Sequence, residues 1–305
     1  MKVLVTGAGG QLGRDLVAAF SGVVPPGGRR TSLRSPEGQA GPAHDVVAAG
    51  HAELPVDRRE LVLEAVDALA PDVVVHAAAM TAVDRCEEAP ERAWAVNALG
   101  TRNVAEASRR AGAHLVYLST DYVFDGDAGR PYVEWDEPRP RSVYGRSKRA
   151  GELECPDGAT IVRTSWLSGA GGDNVVATAL RLAAGPGELR FVDDQRASPT
   201  FAADLAAAVV TLALEQRPGV FHVTNQGVTS WFGLVREVLA RCGHDPGRVH
   251  PIATADLDPP RAAPRPAYSA LDNCALALSD LPLLPSWQDG LGRLLGALNA
   301  TERAA

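Results

Sequence analysis

The chain runs from a short apolar stretch, residues 2–6, straight into Thr6-Gly7-Ala8-Gly9-Gly10-Gln11-Leu12-Gly13, and from there into a helix-like stretch, residues 12–20. No other feature restricts the possible folds as much as a glycine-rich turn set between a strand and a helix. The early glycines permit a tight turn and let a pyrophosphate approach the backbone. The last lets helix pack closely on strand, and the helix N-terminus favours an anion. Glycine spacing alone is weak, because loops are glycine-rich; its place at the head of a strand–helix–strand run gives it weight. The turn therefore reads as a dinucleotide site, with Gly7, Gly10, Gln11, Leu12 and Gly13 against the cofactor.

Alternation continues beyond that turn. Strand candidates at 2–6, 45–49, 72–76, 114–119 and 160–163 are separated by helix candidates at 12–20, 58–69, 90–111 and 144–153. Runs such as Val73-Val74-Val75 and Leu115-Val116-Tyr117-Leu118 are apolar at every position, as in a parallel sheet covered on both faces. The pattern predicts an α/β fold built on a doubly wound parallel sheet. Residues 1–165 are expected to form the dinucleotide-binding domain, with 200–223 returning to it through 201–214 and 220–223. Residues 166–199 and 224–305 are expected to form a smaller C-terminal substrate-binding lobe, closed by an amphipathic helix at 287–298. Residues 21–43 are rich in Pro, Gly and Arg and read as a surface loop longer than a usual helix-to-strand connection.

Bulk properties narrow the function classes. A formal net charge of −7 gives no support for a general nucleic-acid or membrane surface. No apolar run approaches the ~20 residues of a membrane span. Cys86, Cys155, Cys242 and Cys274 lie too far apart for a zinc knuckle and read as reduced thiols. With an apolar strand at the very start and no leader ahead of it, the cytoplasm is the expected compartment.

Of thirty basic residues only two are lysines, and one of these, Lys148, follows Tyr144 by four positions. On a helix the two side chains share a face one turn apart. A lysine held there can lower the pKa of a tyrosine hydroxyl and fit it for proton transfer near neutral pH. Ser119 and Thr120 close the fourth strand candidate, where doubly wound sheets place their active sites. A hydroxyl there can position a carbonyl, a tyrosine can protonate it as hydride arrives, and the lysine can hold the cofactor ribose. The second strand candidate ends Ala48-Ala49-Gly50-His51, with no carboxylate before Glu53 to repel a 2′-phosphate; this suits NADPH and also allows NADH.

Taken together, these segments resemble the extended short-chain dehydrogenase/reductases, and among them the dTDP-4-dehydrorhamnose reductase family. The resemblance rests on residues 5–13, 71–79, 81–84 and 97–101, on Ser119-Thr120-Asp121-Tyr122-Val123-Phe124, and on Tyr144-Gly145-Arg146-Ser147-Lys148. It continues through Arg163-Thr164-Ser165-Trp166, Asp194-Gln195-Arg196-Ala197-Ser198-Pro199-Thr200, Arg265-Pro266 and Trp287. It implies a Rossmann-like sheet and the reduction of the C4 ketone of a dTDP-linked 4-dehydro-6-deoxysugar by NADPH or NADH. Thr120, Tyr144 and Lys148 would be the catalytic set. Val56, Ala77, Ala78 and Ala79 would join the glycine turn, Tyr144 and Lys148 around the cofactor. Thr81, Val83, Thr120, Asp121, Tyr144, Trp166, Gln195 and Ser198 would face the sugar nucleotide, and Asn97 would support the site from its helix. A homodimer is compatible with the resemblance, and no metal is expected.

Two departures stand out. Leu54-Pro55-Val56-Asp57-Arg58 carries proline where the family commonly has aspartate, leaving Val56 to pack on the adenine. Met80 stands where an aromatic residue or histidine is usual. Two other readings stay open: a reductase of another dTDP-ketosugar, such as a streptose precursor, and a non-catalytic dinucleotide-binding subunit resembling the regulatory subunit of methionine adenosyltransferase.

Overall fold

The computed structural model describes residues 1–28 and 44–304. Five strands form in the order of the sequence: β1 (Lys2–Thr6), β2 (Asp45–Ala49), β3 (Val73–His76), β4 (His114–Thr120) and β5 (Thr160–Thr164). With β6 (Leu189–Val192) and β7 (Gly219–His222) following, the main sheet has the order β7-β5-β4-β3-β1-β2, and every pairing in it is parallel. Thus the 200–223 stretch does return to the sheet, through α8 (Ala202–Leu214) and β7.

The uniformly apolar strands follow from coverage of both faces. Val3, Val5, Val73, Val75 and Val116 point to a core closed by α1 (Gln11–Phe20) and α8. Leu4, Val74 and Leu115 point the other way, onto α2 (Arg59–Leu69) and α5 (Gly100–Ala111). Each such fully buried aliphatic side chain contributes about 1.5–3 kcal/mol relative to exposure.

Between β3 and α5 lie α3 (Val83–Glu88), α4 (Pro90–Trp94) and a single π-helical turn, Ala95–Leu99. The expected unbroken helix over 90–111 is therefore interrupted. The wide turn carries Asn97, whose Oδ1 accepts from the Met80 amide at 2.8 Å and whose Nδ2 donates to the Met80 carbonyl at 3.1 Å and to Ser147 Oγ at 3.0 Å. Such turns recur beside functional sites. Helix α6 (Val143–Glu154) is capped by Ser142, whose Oγ accepts from the Gly145 amide at 3.0 Å.

Helices α7 (Val175–Ala183), α9 (Trp231–Arg241) and α10 (Trp287–Ala304) pack around Val176, Leu234, Val235, Trp287 and Leu291. Strand β6 pairs in parallel with β8 (Val249–Ile252) at its side. Of the long loop expected over 21–43, the described part up to Gly28 is tied to α10, since Arg293 Nε donates to the Gly27 carbonyl at 2.8 Å. The remainder, residues 29–43, lies outside the described residues. Among the described residues no helix is long and apolar enough to cross a membrane.

Candidate active site

Parallel strands that end together leave a crevice at their C-terminal ends. Here it is a cavity of about 850 Å³ into which the glycine turn, the segment after β3, the end of β4 and the face of α6 all open. Gly7, Gly10, Gln11, Leu12, Gly13, Val56, Ala77, Ala78 and Ala79 line one part of it. Thr81, Val83, Thr120, Asp121, Tyr144, Lys148 and Trp166 line the rest.

The glycine turn has the form a dinucleotide requires. Gly7 has φ of 69°, and a Cβ there would come within 2.6 Å of the Ala78 amide nitrogen. A Cβ on Gly13 would stand 2.2 Å from the Gly7 carbonyl oxygen, whereas one on Gly9 would meet nothing within 4 Å. Helix is thus pressed on turn at Gly13, and the space before Gly9 is open to a phosphate. Gln11 ties the turn to the segment that follows β5: its Nε2 donates to the Leu167 carbonyl at 3.0 Å, and its Oε1 accepts from Asn174 Nδ2 at 3.0 Å. Gly13→Ala is expected to cost about 1–3 kcal/mol through overpacking and to weaken NADPH binding; a titration matching the wild type would contradict this role.

At the far end of the turn, Pro55 does not keep Val56 from the cavity. Asn103 Nδ2 donates to the Val56 carbonyl at 2.9 Å and holds the segment in place. His51, Leu54, Asp57 and Arg92 also reach this end, the last two joined as an ion pair. The sequence reading did not single out Asp57 and Arg92, which stand 35 residues apart and meet only in the fold.

Opposite, Thr120 ends β4. Its Oγ1 accepts from the Tyr122 amide at 3.2 Å and donates to Asp121 Oδ1 at 3.1 Å, while Asp121 Oδ2 accepts from Ser269 Oγ at 2.5 Å. Burial pushes the Asp121 carboxyl up to about 6, against the pull of these hydroxyls. Tyr144 is buried, with the ring of Tyr122 edge-on at 5.5 Å. Burial drives its hydroxyl well above the usual tyrosine range, and the nearby Thr120 hydroxyl only partly opposes this. The sequence offered Lys148 as a group that can lower the tyrosine hydroxyl; here burial is the larger influence on Tyr144. Lys148 Nζ instead donates to the Leu118 carbonyl at 2.6 Å and stands over the Tyr117 ring at 4.2 Å. Burial lowers the Lys148 ammonium to about 7, with Glu152 pulling the other way. His76 lies between Thr6 Oγ1 at 2.7 Å and Thr101 Oγ1 at 3.2 Å, and burial lowers it to about 3, so it is neutral.

At the mouth, Trp166 (φ 44°) stacks on Trp231 with ring centroids 3.4 Å apart and planes 8° apart. Trp231 was missed from sequence because it belongs to a distant helix, α9. It also stands against Gln195. Trp231 Nε1 donates to Gln195 Oε1 at 3.3 Å, and Gln195 Nε2 donates to Thr254 Oγ1 at 2.8 Å. Gln195 therefore sits behind the indole, its amide satisfied, and it does not line the cavity; nor does Ser198, which is buried.

Comparison with known proteins agrees with this geometry. Residues 1–300 match the family model described as RmlD substrate binding domain. A dTDP-4-dehydrorhamnose reductase of Streptomyces griseus is 43% identical, with 97% of this chain and 93% of that one covered. A probable dTDP-4,6-dihydroxy-2-methyloxan-3-one 4-ketoreductase of Streptomyces antibioticus is 40% identical, covering 99% of this chain and 97% of that protein. The crystal structure of dTDP-4-dehydrorhamnose reductase from Bacillus anthracis in complex with NADP superposes with a TM-score of 0.85 at 36% identity, covering 96% of this chain and 98% of that one. With its glycine turn, its Thr-Tyr-Lys set and these relatives over nearly its full length, the chain belongs to the RmlD substrate binding domain family, whose members include dTDP-4-dehydrorhamnose reductases.

Proposed function

We propose that this protein reduces the C4 ketone of a dTDP-4-dehydro-6-deoxysugar, in the first instance dTDP-4-dehydro-L-rhamnose to dTDP-L-rhamnose, with NADPH or NADH. The observation that carries the reading is the meeting of the Thr120 and Tyr144 hydroxyls in the cavity that the glycine turn also lines. The turn fits a dinucleotide: Gly13 admits no side chain and Gly9 leaves open space. Gly7, Gly10, Gln11, Leu12, Gly13, Val56 and Ala77 to Ala79 would hold it, and Lys148 would donate to its ribose hydroxyls. When bound, such a cofactor supplies a hydride.

The chain's own residues do the rest. The Tyr144 hydroxyl, kept protonated by burial, gives its proton to the ketone oxygen as that oxygen gains charge. The Thr120 hydroxyl, turned from Asp121 Oδ1 toward the substrate, donates to the same oxygen, and the buried Asp121 stands behind it. Thr81, Val83 and the Trp166–Trp231 stack wall the sugar side and exclude water. In this reading residues 1–165 with 200–223 carry the cofactor, the remaining residues form the substrate lobe, and the enzyme serves a soluble nucleotide sugar in the cytoplasm. The Streptomyces antibioticus relative, nearly as similar as the rhamnose-series one, favours another dTDP-ketosugar as the second reading.

Reduction with a nicotinamide cofactor deuterated at the transferred position should place the label at C4 of the sugar, read by NMR of the product. Label at another carbon would overturn the assignment. The two neighbouring hydroxyls should also separate. Thr120→Val should lower kcat/KM for the ketosugar about 10²-fold, whereas Ser119→Ala should lose less than about tenfold, because the Ser119 hydroxyl is already committed to Glu152 at 2.5 Å. The reverse order would move the carbonyl contact to Ser119.

A further inference from the structure

We propose that Glu152 is a positioning residue of this site: its carboxylate fixes α6, and with it Lys148, against the ends of β4 and β5, and places a negative charge one helical turn beyond Lys148. The proposal rests on the reductase reading above.

Tyr144, Lys148 and Glu152 follow one another at intervals of four on α6, so they form one row along the helix. The Glu152 side chain is fully buried. Its Oε1 accepts from Ser119 Oγ at 2.5 Å and from Arg163 Nε at 2.8 Å. Its Oε2 accepts from Arg163 Nη2 and from Arg149 Nη1, each at 2.8 Å. One carboxylate thus joins three elements. Ser119 and Arg163 are paired partners across β4 and β5, and the next pair in the register is Thr120 with Thr164. Gly151 brings the helix close enough for this, since a Cβ there would stand 2.3 Å from the Tyr117 hydroxyl. The hold on Ser119 also leaves Thr120, which lines the cavity, as the hydroxyl that can turn to a ketone.

Several charged and titratable groups face the pair. Lys148 meets Glu152 on its own helix, Cys155 just past the helix end, Tyr117 on β4 and His76 on β3. Glu152 meets Arg149 on α6, Arg163 on β5, Tyr117 on β4 and His222 on β7. His76 and His222 are both held neutral by burial, and burial pushes the Cys155 thiol up to about 12. Glu152 therefore supplies the negative charge that offsets the burial of Lys148. An opposite charge at such a site shifts a pKa by about one to three units.

The test compares full-length wild type, Glu152→Gln and Glu152→Asp by NADPH fluorescence titration and by kcat/KM for NADPH between pH 6 and 9. The latter reports the free enzyme. In the wild type both should fall as pH rises through about 7, as Lys148 loses its proton. In Glu152→Gln the falling limb should move down by about one pH unit, a loss of about tenfold at pH 8. Glu152→Asp retains the charge with a shorter reach, so its limb should stay while kcat/KM drops. A folded Glu152→Gln with the wild-type limb would overturn the proposal. Should Glu152→Gln not fold, Glu152→Asp decides, and a kcat/KM equal to wild type would overturn it. The titration needs no sugar: wild type that binds NADPH yet reduces no ketosugar refutes the reductase reading, while the limb still judges Glu152.

Discussion

Tyr144→Phe should lower kcat about 10³-fold or more while NADPH still binds with near wild-type affinity. The size of the loss follows from the place of Tyr144, whose hydroxyl meets that of Thr120 in the cavity while its neighbours are held by other contacts. Asp121 has its two oxygens engaged by Thr120 and Ser269, and Lys148 donates to the Leu118 carbonyl. Tyr122, edge-on to Tyr144, is half-buried beside Arg265, and desolvation holds its hydroxyl well above the usual tyrosine range. Removing one oxygen leaves the Tyr144 ring packed with Cys86, Ala93 and Val143, so fold and cofactor site persist. Steady-state rates with binding titrations check this; a variant keeping a tenth of the wild-type kcat would remove Tyr144 from the proton transfer.

Arg163→Met should destabilise the protein by about 3–5 kcal/mol, read as a lower midpoint of urea unfolding. Arg163 is only 3% exposed at its side chain, and it gives Glu152 two parallel hydrogen bonds. Burial pushes the Glu152 carboxyl up, but Arg163, Ser119 and Arg149 outweigh it and leave it below the usual range. A carboxyl depressed on folding contributes stability above its unfolded value near 4.5 and loses it as pH falls through the folded value. Without Arg163 burial prevails, so the gap between variant and wild type should widen from acid to neutral pH. The exposed Arg59–Glu106 pair offers the contrast: breaking it should scarcely move the midpoint. Equal effects of the two substitutions would contradict the buried network.

Much of the frame was legible because its cause is local. Strands such as Val73–His76 announce a doubly covered sheet by having no polar face, and the glycine turn announces itself by its place after β1. Tyr144 and Lys148 were legible because a helix fixes side chains four apart on one face. Other features depend on contacts between distant segments. The π turn at Ala95–Leu99 is set by what Asn97 reaches, Met80 and Ser147, and by no break in the helical pattern. Trp231 enters the cavity through its stack on Trp166, 65 positions earlier in the chain, and by the same contact places Gln195 behind the wall. Glu152 reads in sequence as one more helical acid, and only the sheet register shows that it holds Ser119 and Arg163 together.

The most direct measurement is oxidation of NADPH, with NADH in parallel, using dTDP-4-dehydro-L-rhamnose made in situ by the preceding dehydratase and epimerase. The account predicts turnover that requires the epimerase, yields dTDP-L-rhamnose and vanishes in Tyr144→Phe. Folded protein that binds NADPH but oxidises neither cofactor with this or any other dTDP-4-ketosugar would contradict it.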